Sequence, residues 1–296
     1  MRLLPIALLV VLVTACGPGR APVTADEFAA RAREVVDHWR GSAEREAWVS
    51  GFVPLRNLTL EPDWRHTPRW VGRSVINSAW RLETELPLGT PAPARLRWAD
   101  GGSLDVPVLT AEAAYAGLSR PKSFADEKCP AEGCRPLSVV AVARGEAAVP
   151  SGRGEVRVPT WDFTVRGVPK PFRRVAVDPA AMGGPPQPLD DGIQEVATYE
   201  PNTPTELRLS YLYGDCDTTY GSRVHETPEA VVVDVDVRGD DDVKVCSAVG
   251  RTGRIGVTLR EPLGRRVVLD SGSGVPLLPE SDVRLAEFRN YDPRRS

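Results

Sequence analysis

An α+β fold that is mainly β, an N-terminal helix followed by antiparallel β regions, is what this sequence predicts, with a small sandwich or open barrel in its C-terminal part. Three observations predict it. Apolar residues recur at helical spacing most clearly near the start, between Phe28 and Trp39. Beyond residue 50 the apolar runs are short and mostly alternate with polar residues, the period of a half-buried strand. The 28 Pro and 26 Gly are spread between those runs, so turns are frequent.

The first 23 residues set the compartment. Met1-Arg2 precedes an apolar stretch over 3–15, the pattern of a signal peptide. Its 13 residues, with Pro5 inside, fall short of the roughly 20 that span a bilayer. Val13-Thr14-Ala15-Cys16 resembles a lipobox. That resemblance implies removal of 1–15, a diacylglyceryl group on the Cys16 thiol, and a lipidated tether over 16–23 that includes Gly17-Pro18-Gly19. Each buried methylene contributes about 0.8 kcal/mol, so two acyl chains hold where one is marginal. The expected partner is the membrane, with the folded part extracellular on its outer face.

Without residues 1–15, 281 remain, enough for one large domain or two small ones. Of the full chain, 42% is hydrophobic and 26% charged, a globular balance. Loss of Arg2 leaves 36 Lys and Arg against 40 Asp and Glu, moving the formal charge from −3 to −4. No basic patch invites nucleic acid.

The elements follow in order. Thr24-Ala25-Asp26-Glu27 matches a capping box, and Phe28, Ala32, Val35, Val36 and Trp39 then share one helical face up to Gly41. Strand pairing is expected over 74–85 and again over 94–98, which turns at Asp100-Gly101-Gly102 into 103–109. Thr110 caps a short helix through Leu118. A helix plus β region thus covers 24–120. A β-hairpin region, 121–182, carries Cys129 and Cys134; strands over 137–143 and 155–165 flank a turn at Ser151-Gly152-Arg153-Gly154. The 179–188 stretch, which contains Gly183-Gly184-Pro185-Pro186, reads as a linker and a domain boundary. A C-terminal β domain, 190–296, carries Cys216 and Cys246, with strands over 205–213, 230–237, 255–259 and 266–269.

Apart from Cys16, four cysteines remain, and in an oxidising exterior an even set reads as disulfides. They allow three pairings, which spacing alone leaves open. The expected one joins Cys129 to Cys134 and Cys216 to Cys246, worth about 2 and roughly 4 kcal/mol by loop closure. Zinc is disfavoured, because Cys129 and Cys134 are spaced wider than Cys-x-x-Cys and no His lies near either pair.

Chemistry is harder to find. The chain has three His, no Gly-x-Ser-x-Gly elbow and no His-Glu-x-x-His. Ser119-Arg120-Pro121-Lys122 meets Ser-x-x-Lys by letters only, since Pro121 interrupts the helix start that motif needs. Asp234-Val235-Asp236 begins like a calcium loop but places Arg238 and Val245 where ligands belong, and reads better as a strand. Ser271-Gly272-Ser273-Gly274 reads as a turn. His225-Glu226 is the pair to watch, with Asp215 or Asp217 as the carboxylate a general base would need. Trp64 and Trp70, in a Pro-bounded stretch, are the tryptophans free to stack on sugars. No cofactor and no metal is expected.

Four motifs carry a further likeness: Cys129 with Cys134-Arg135-Pro136-Leu137; Ser151-Gly152-Arg153-Gly154 with 158–165; Tyr213-Gly214-Asp215-Cys216 with Val224-His225-Glu226; and 261–270. Together they resemble the uncharacterised lipoproteins of streptomycetes and related actinobacteria, over roughly 129–276. The resemblance implies no reaction, because that family has none assigned. The functional expectation is therefore a binding or interaction module at the cell surface, a monomer whose ligand is an envelope protein or glycan. A cell-envelope hydrolase around His225 and a passive scaffold are the alternatives.

Overall fold

The structure is a computed structural model and describes residues 23–60, 62, 64–120, 129–131, 133–184, 186–190, 196–239, 245–247 and 249–279. The expected leader, Cys16 and the expected tether up to residue 22 lie outside the described residues, as does 240–242. None of the described helices is long and apolar enough to cross a membrane. With 43% strand and 21% helix the chain is mainly β.

Helix α1, Ala25–Gly41, begins as its local sequence dictates. The Thr24 hydroxyl accepts from the Glu27 amide at 3.2 Å, and the Glu27 carboxylate accepts from the Thr24 amide at 2.7 Å. Ser42 ends α1 in extended conformation, and its hydroxyl caps a second helix that the pattern did not reveal, α2, Ala43–Ser50. Trp39 and Trp48 meet edge to face at 6.1 Å between the two helices.

A mixed sheet follows, built from β1 (Thr59–Leu60), β2 (Trp80–Leu82), β5 (Leu137–Ser151), β6 (Gly154–Val165) and β7 (Phe172–Val175) in the order β1-β7-β6-β5-β2. The expected strand over 74–85 is replaced at its start by helix α3, Arg69–Ile76. Val71, Ser74 and Val75 stand at i, i+3 and i+4 and are buried together, which favours a helix there. Hairpin β3–β4 (Ala94–Arg97, Ser103–Val106) forms around the expected Asp-Gly-Gly turn, and α4 (Ala111–Ser119) starts at Thr110. The long β5–β6 hairpin runs in register to Ser151 opposite Gly154, eight residues beyond the expected end of its first strand. A bulge between Val139 and Ala141 leaves Val139 and Val142 in the same core as Phe163 and Val165. Trp161 and Phe163 pack under α3 and α4, whereas Val156 and Val158 face Leu96, Trp98 and Val106.

The C-terminal part is a two-sheet sandwich, with no sheet closed into a barrel. One sheet is β12-β9-β8-β14 (Gly250–Thr258, Glu206–Gly214, Val196–Thr203, Leu278–Pro279); the other is β10-β11-β13 (Asp217–Glu226, Ala230–Gly239, Val267–Asp270). Val231, Val233 and Val235 meet Leu207, Leu209 and Tyr211 in the sandwich core. Ala230 and Val232, on the other face of β11, pack with Leu269 against Phe28, Val35 and Trp39 of α1. The consecutive valines of β11 are thus buried on both sides. The helix nearest the N-terminus lies on strands some 200 residues later, and the chain between it and them forms the mixed sheet.

Both expected disulfides form, Cys129 with Cys134 and Cys216 with Cys246. The described part of the 179–190 stretch is tied down at two points: the Gly183 amide donates to the Phe52 carbonyl, and the Leu189 amide to the Ser273 carbonyl.

Candidate functional site

The residues singled out in the sequence are not brought together. His225, half-buried on β10, stands opposite Val232 and so faces α1, while Glu226 stands opposite Val231 and points the other way. Asp215, in the β9–β10 turn, pairs with Arg251. At about 3.3 Å per residue β10 separates Asp217 from His225 by about 25 Å, which leaves His225 no carboxylate partner among those two. Trp64, in a 3-10 turn (Trp64–His66), and Trp70, in α3, are half-buried against the mixed-sheet core, not free in a loop. The Arg135 guanidinium covers the Trp70 ring at 4.2 Å. Eight residues of helix are enough to turn the Trp70 indole toward the core.

Glu226 is a clamp. It accepts from the Arg260 amide at 2.8 Å, the Glu261 amide at 3.3 Å and Arg266 Nη1 at 2.9 Å, holding the 260–266 loop against the sandwich. Burial pushes its carboxyl up, but these donors outweigh it and hold it down at about 2.

A second buried acid shapes the turn on which α1 docks. Asp270 accepts from the Ser273 amide and hydroxyl at 2.7 and 2.8 Å, and more weakly from the Val196 amide. Burial nevertheless pushes it up to about 6, with neighbouring Asp234 adding to the effect. Arg31 reaches from α1 to the carbonyls of Ser271 and Gly272 at 3.0 and 2.6 Å, so the expected turn over 271–274 is also a docking point.

An open cleft of about 310 Å³ lies where α2, the β5–β6 tip and the 263–268 segment converge. The tip is wedged tightly. A Cβ on Gly152 would lie 2.5 Å from the Trp48 indole, and the Gly152 amide donates to Val53. Arg153 stacks over Trp98 at 4.8 Å and grips Asp100 through Nε at 2.9 Å and Nη2 at 3.2 Å. A Cβ on Gly102 would overlap that guanidinium, so only glycine leaves room for it. Asp100 also accepts from Arg265 Nη2 at 2.9 Å. Its carboxyl is held below the usual range, chiefly by the hydrogen bond from Arg153.

Across the cleft Glu229 likewise serves two cations, Arg40 at 2.5 Å and Arg45 at 3.6 Å. Trp48, Tyr199 and Leu277 add apolar lining. A shallower hollow of about 650 Å³ lies on the other side of the 260–266 loop. Two of the motifs that carried the family likeness, Ser151-Gly152-Arg153-Gly154 and 261–266, therefore meet at one cleft; Asp100 and Glu229, which organise it, carried no signal in the sequence.

Among the described residues no three His, Cys, Asp or Glu side chains are grouped so as to hold a metal ion. Comparison with protein-family models, curated proteins and solved structures finds no match to this chain.

Proposed function

We propose that this protein is an extracytoplasmic lipoprotein, held at the outer face of the membrane through a lipid on Cys16, that binds an envelope ligand in the cleft between α2, the β5–β6 tip and the 263–268 segment. Two disulfides suit an oxidising compartment and so support the location. The anchor rests on the lipobox-like Val13-Thr14-Ala15-Cys16. The observation that carries the binding role is the convergence of three distant chain segments on one concave, partly apolar site with charged groups aimed into it. The hydrolase reading draws no support from His225, which is a strand's length from Asp217 and points away from Glu226.

Mass spectrometry of the native product tests the anchor: a diacylglyceryl-modified N-terminal Cys16 is expected, and an intact leader or bare thiol overturns it. Fragment screening by NMR tests the site. Hits should shift the Trp48 indole resonance and be lost in Val49→Trp, which fills the cleft; hits that ignore this substitution place the ligand elsewhere.

A further inference from the structure

We propose that the ligand bears anionic groups, phosphate or carboxylate, on a polar envelope polymer, and that Arg265 is the side chain that captures them; this rests on the reading of the cleft as the ligand site. Cations outnumber the carboxylates that hold them. Asp100 serves both Arg153 and Arg265, and Glu229 serves both Arg40 and Arg45, with exposed Asp37 a second carboxylate on Arg40, so four guanidinium groups share three carboxylates. Within the Arg265 pair the carboxylate is the covered partner: the Asp100 side chain is 18% exposed and the Arg265 side chain 75%.

Arg265 is also the replaceable member of its pair. Arg153 grips Asp100 with two nitrogens and is stacked on Trp98, so Asp100 stays neutralised when Arg265 turns away. What Arg265 gives up is one solvent-exposed ion pair, weakly held in water. Its backbone need not move. The Glu226 clamp and the bond from the Leu263 amide to the Pro204 carbonyl fix the loop, leaving the long side chain as the moving part.

The loop stands between two hollows, and Arg260, 80% exposed, projects on the far side. A linear ligand crossing the loop meets Arg265 and then Arg260, with Glu261 the exposed carboxylate on that path. On a chain whose net charge is −3, this face still draws anions locally. Cations set beside hollows suit a chain that enters them better than a flat anionic bilayer.

The test titrates the detergent-solubilised full chain with poly(glycerol phosphate) oligomers, oligogalacturonate, neutral dextran and phosphatidylglycerol vesicles, following tryptophan fluorescence. Binding of one or both anionic oligomers is expected, naming phosphate or carboxylate as the group, and it should weaken with salt. Arg265→Ala should lower the affinity about tenfold or more, the effect of losing one charge-assisted hydrogen bond. Arg157→Ala, an exposed arginine on β6 away from the cleft, should leave it unchanged. Anion binding that survives Arg265→Ala, or binding to vesicles alone, overturns the proposal. Dextran or fragments that reach Trp48 when neither anionic oligomer binds overturn the ligand class and keep the cleft; no probe at Trp48 overturns both.

Discussion

Replacing Asp270 by Asn should remove a rise in stability that the native protein shows on acidification from pH 7 to pH 5. Asp270 is 1% exposed at the end of β13, and burial raises its carboxyl to about 6. In the unfolded chain an Asp titrates near 3.9. Between these values the folded protein binds the extra proton, so stability increases as pH falls toward about 4 and is lost as pH rises through about 6. Two units correspond to roughly 3 kcal/mol in full, of which the step from pH 7 to pH 5 captures about 1 kcal/mol. The depressed acids act elsewhere. Glu226 is held at about 2, and Asp100 and Asp236 are also lowered; their stabilisation is present above about pH 4.5 and is lost only below it. Urea unfolding of both proteins at pH 7, 6 and 5 gives the decisive quantity, the difference between them, from which the three histidines cancel. That difference should shift by about 1 kcal/mol in favour of the native protein at pH 5. A difference constant with pH refutes the assignment.

Three other substitutions test the packing. Gly152→Ala drives a methyl into the Trp48 ring and should cost about 1–3 kcal/mol, read from thermal melts, unless the hairpin tip shifts freely. Replacing Cys216 and Cys246 by Ser opens the larger loop, with a sequence separation of 30, and should cost about 4 kcal/mol in urea unfolding; the same change at Cys129 and Cys134 should cost about 2 kcal/mol. A reversed order would show that loop entropy is not the dominant effect. Glu226→Gln leaves Arg266, 9% exposed, without its counter-charge and should cost about 3 kcal/mol. Hydrogen exchange should then speed up in the 260–266 loop; unchanged protection there contradicts the clamp.

Several elements were legible because their causes are local. The capping box of α1 spans four residues, and the Asp100-Gly101-Gly102 turn fixes where β3 returns as β4. Even the doubly buried β11 was readable as a strand from its valines. Helix α3 was missed because two turns are too few to separate a period of 3.6 from one of 2, and Trp70 was misplaced with it, as Trp64 was with the neighbouring 3-10 turn. What the sequence by itself determined, then, is the mainly β class, the start of α1, the hairpins and the cysteines available to pair. Only the tertiary structure decided that α1 rests on β11 and β13, that His225 and Asp217 stand at opposite ends of one strand, and that Asp100 is shared by Arg153 and Arg265, 53 and 165 residues away. Periodicity and capping report contacts within about four residues along the chain. Which side chains meet across a hundred or more depends on how whole faces pack, and no single stretch of sequence carries that information.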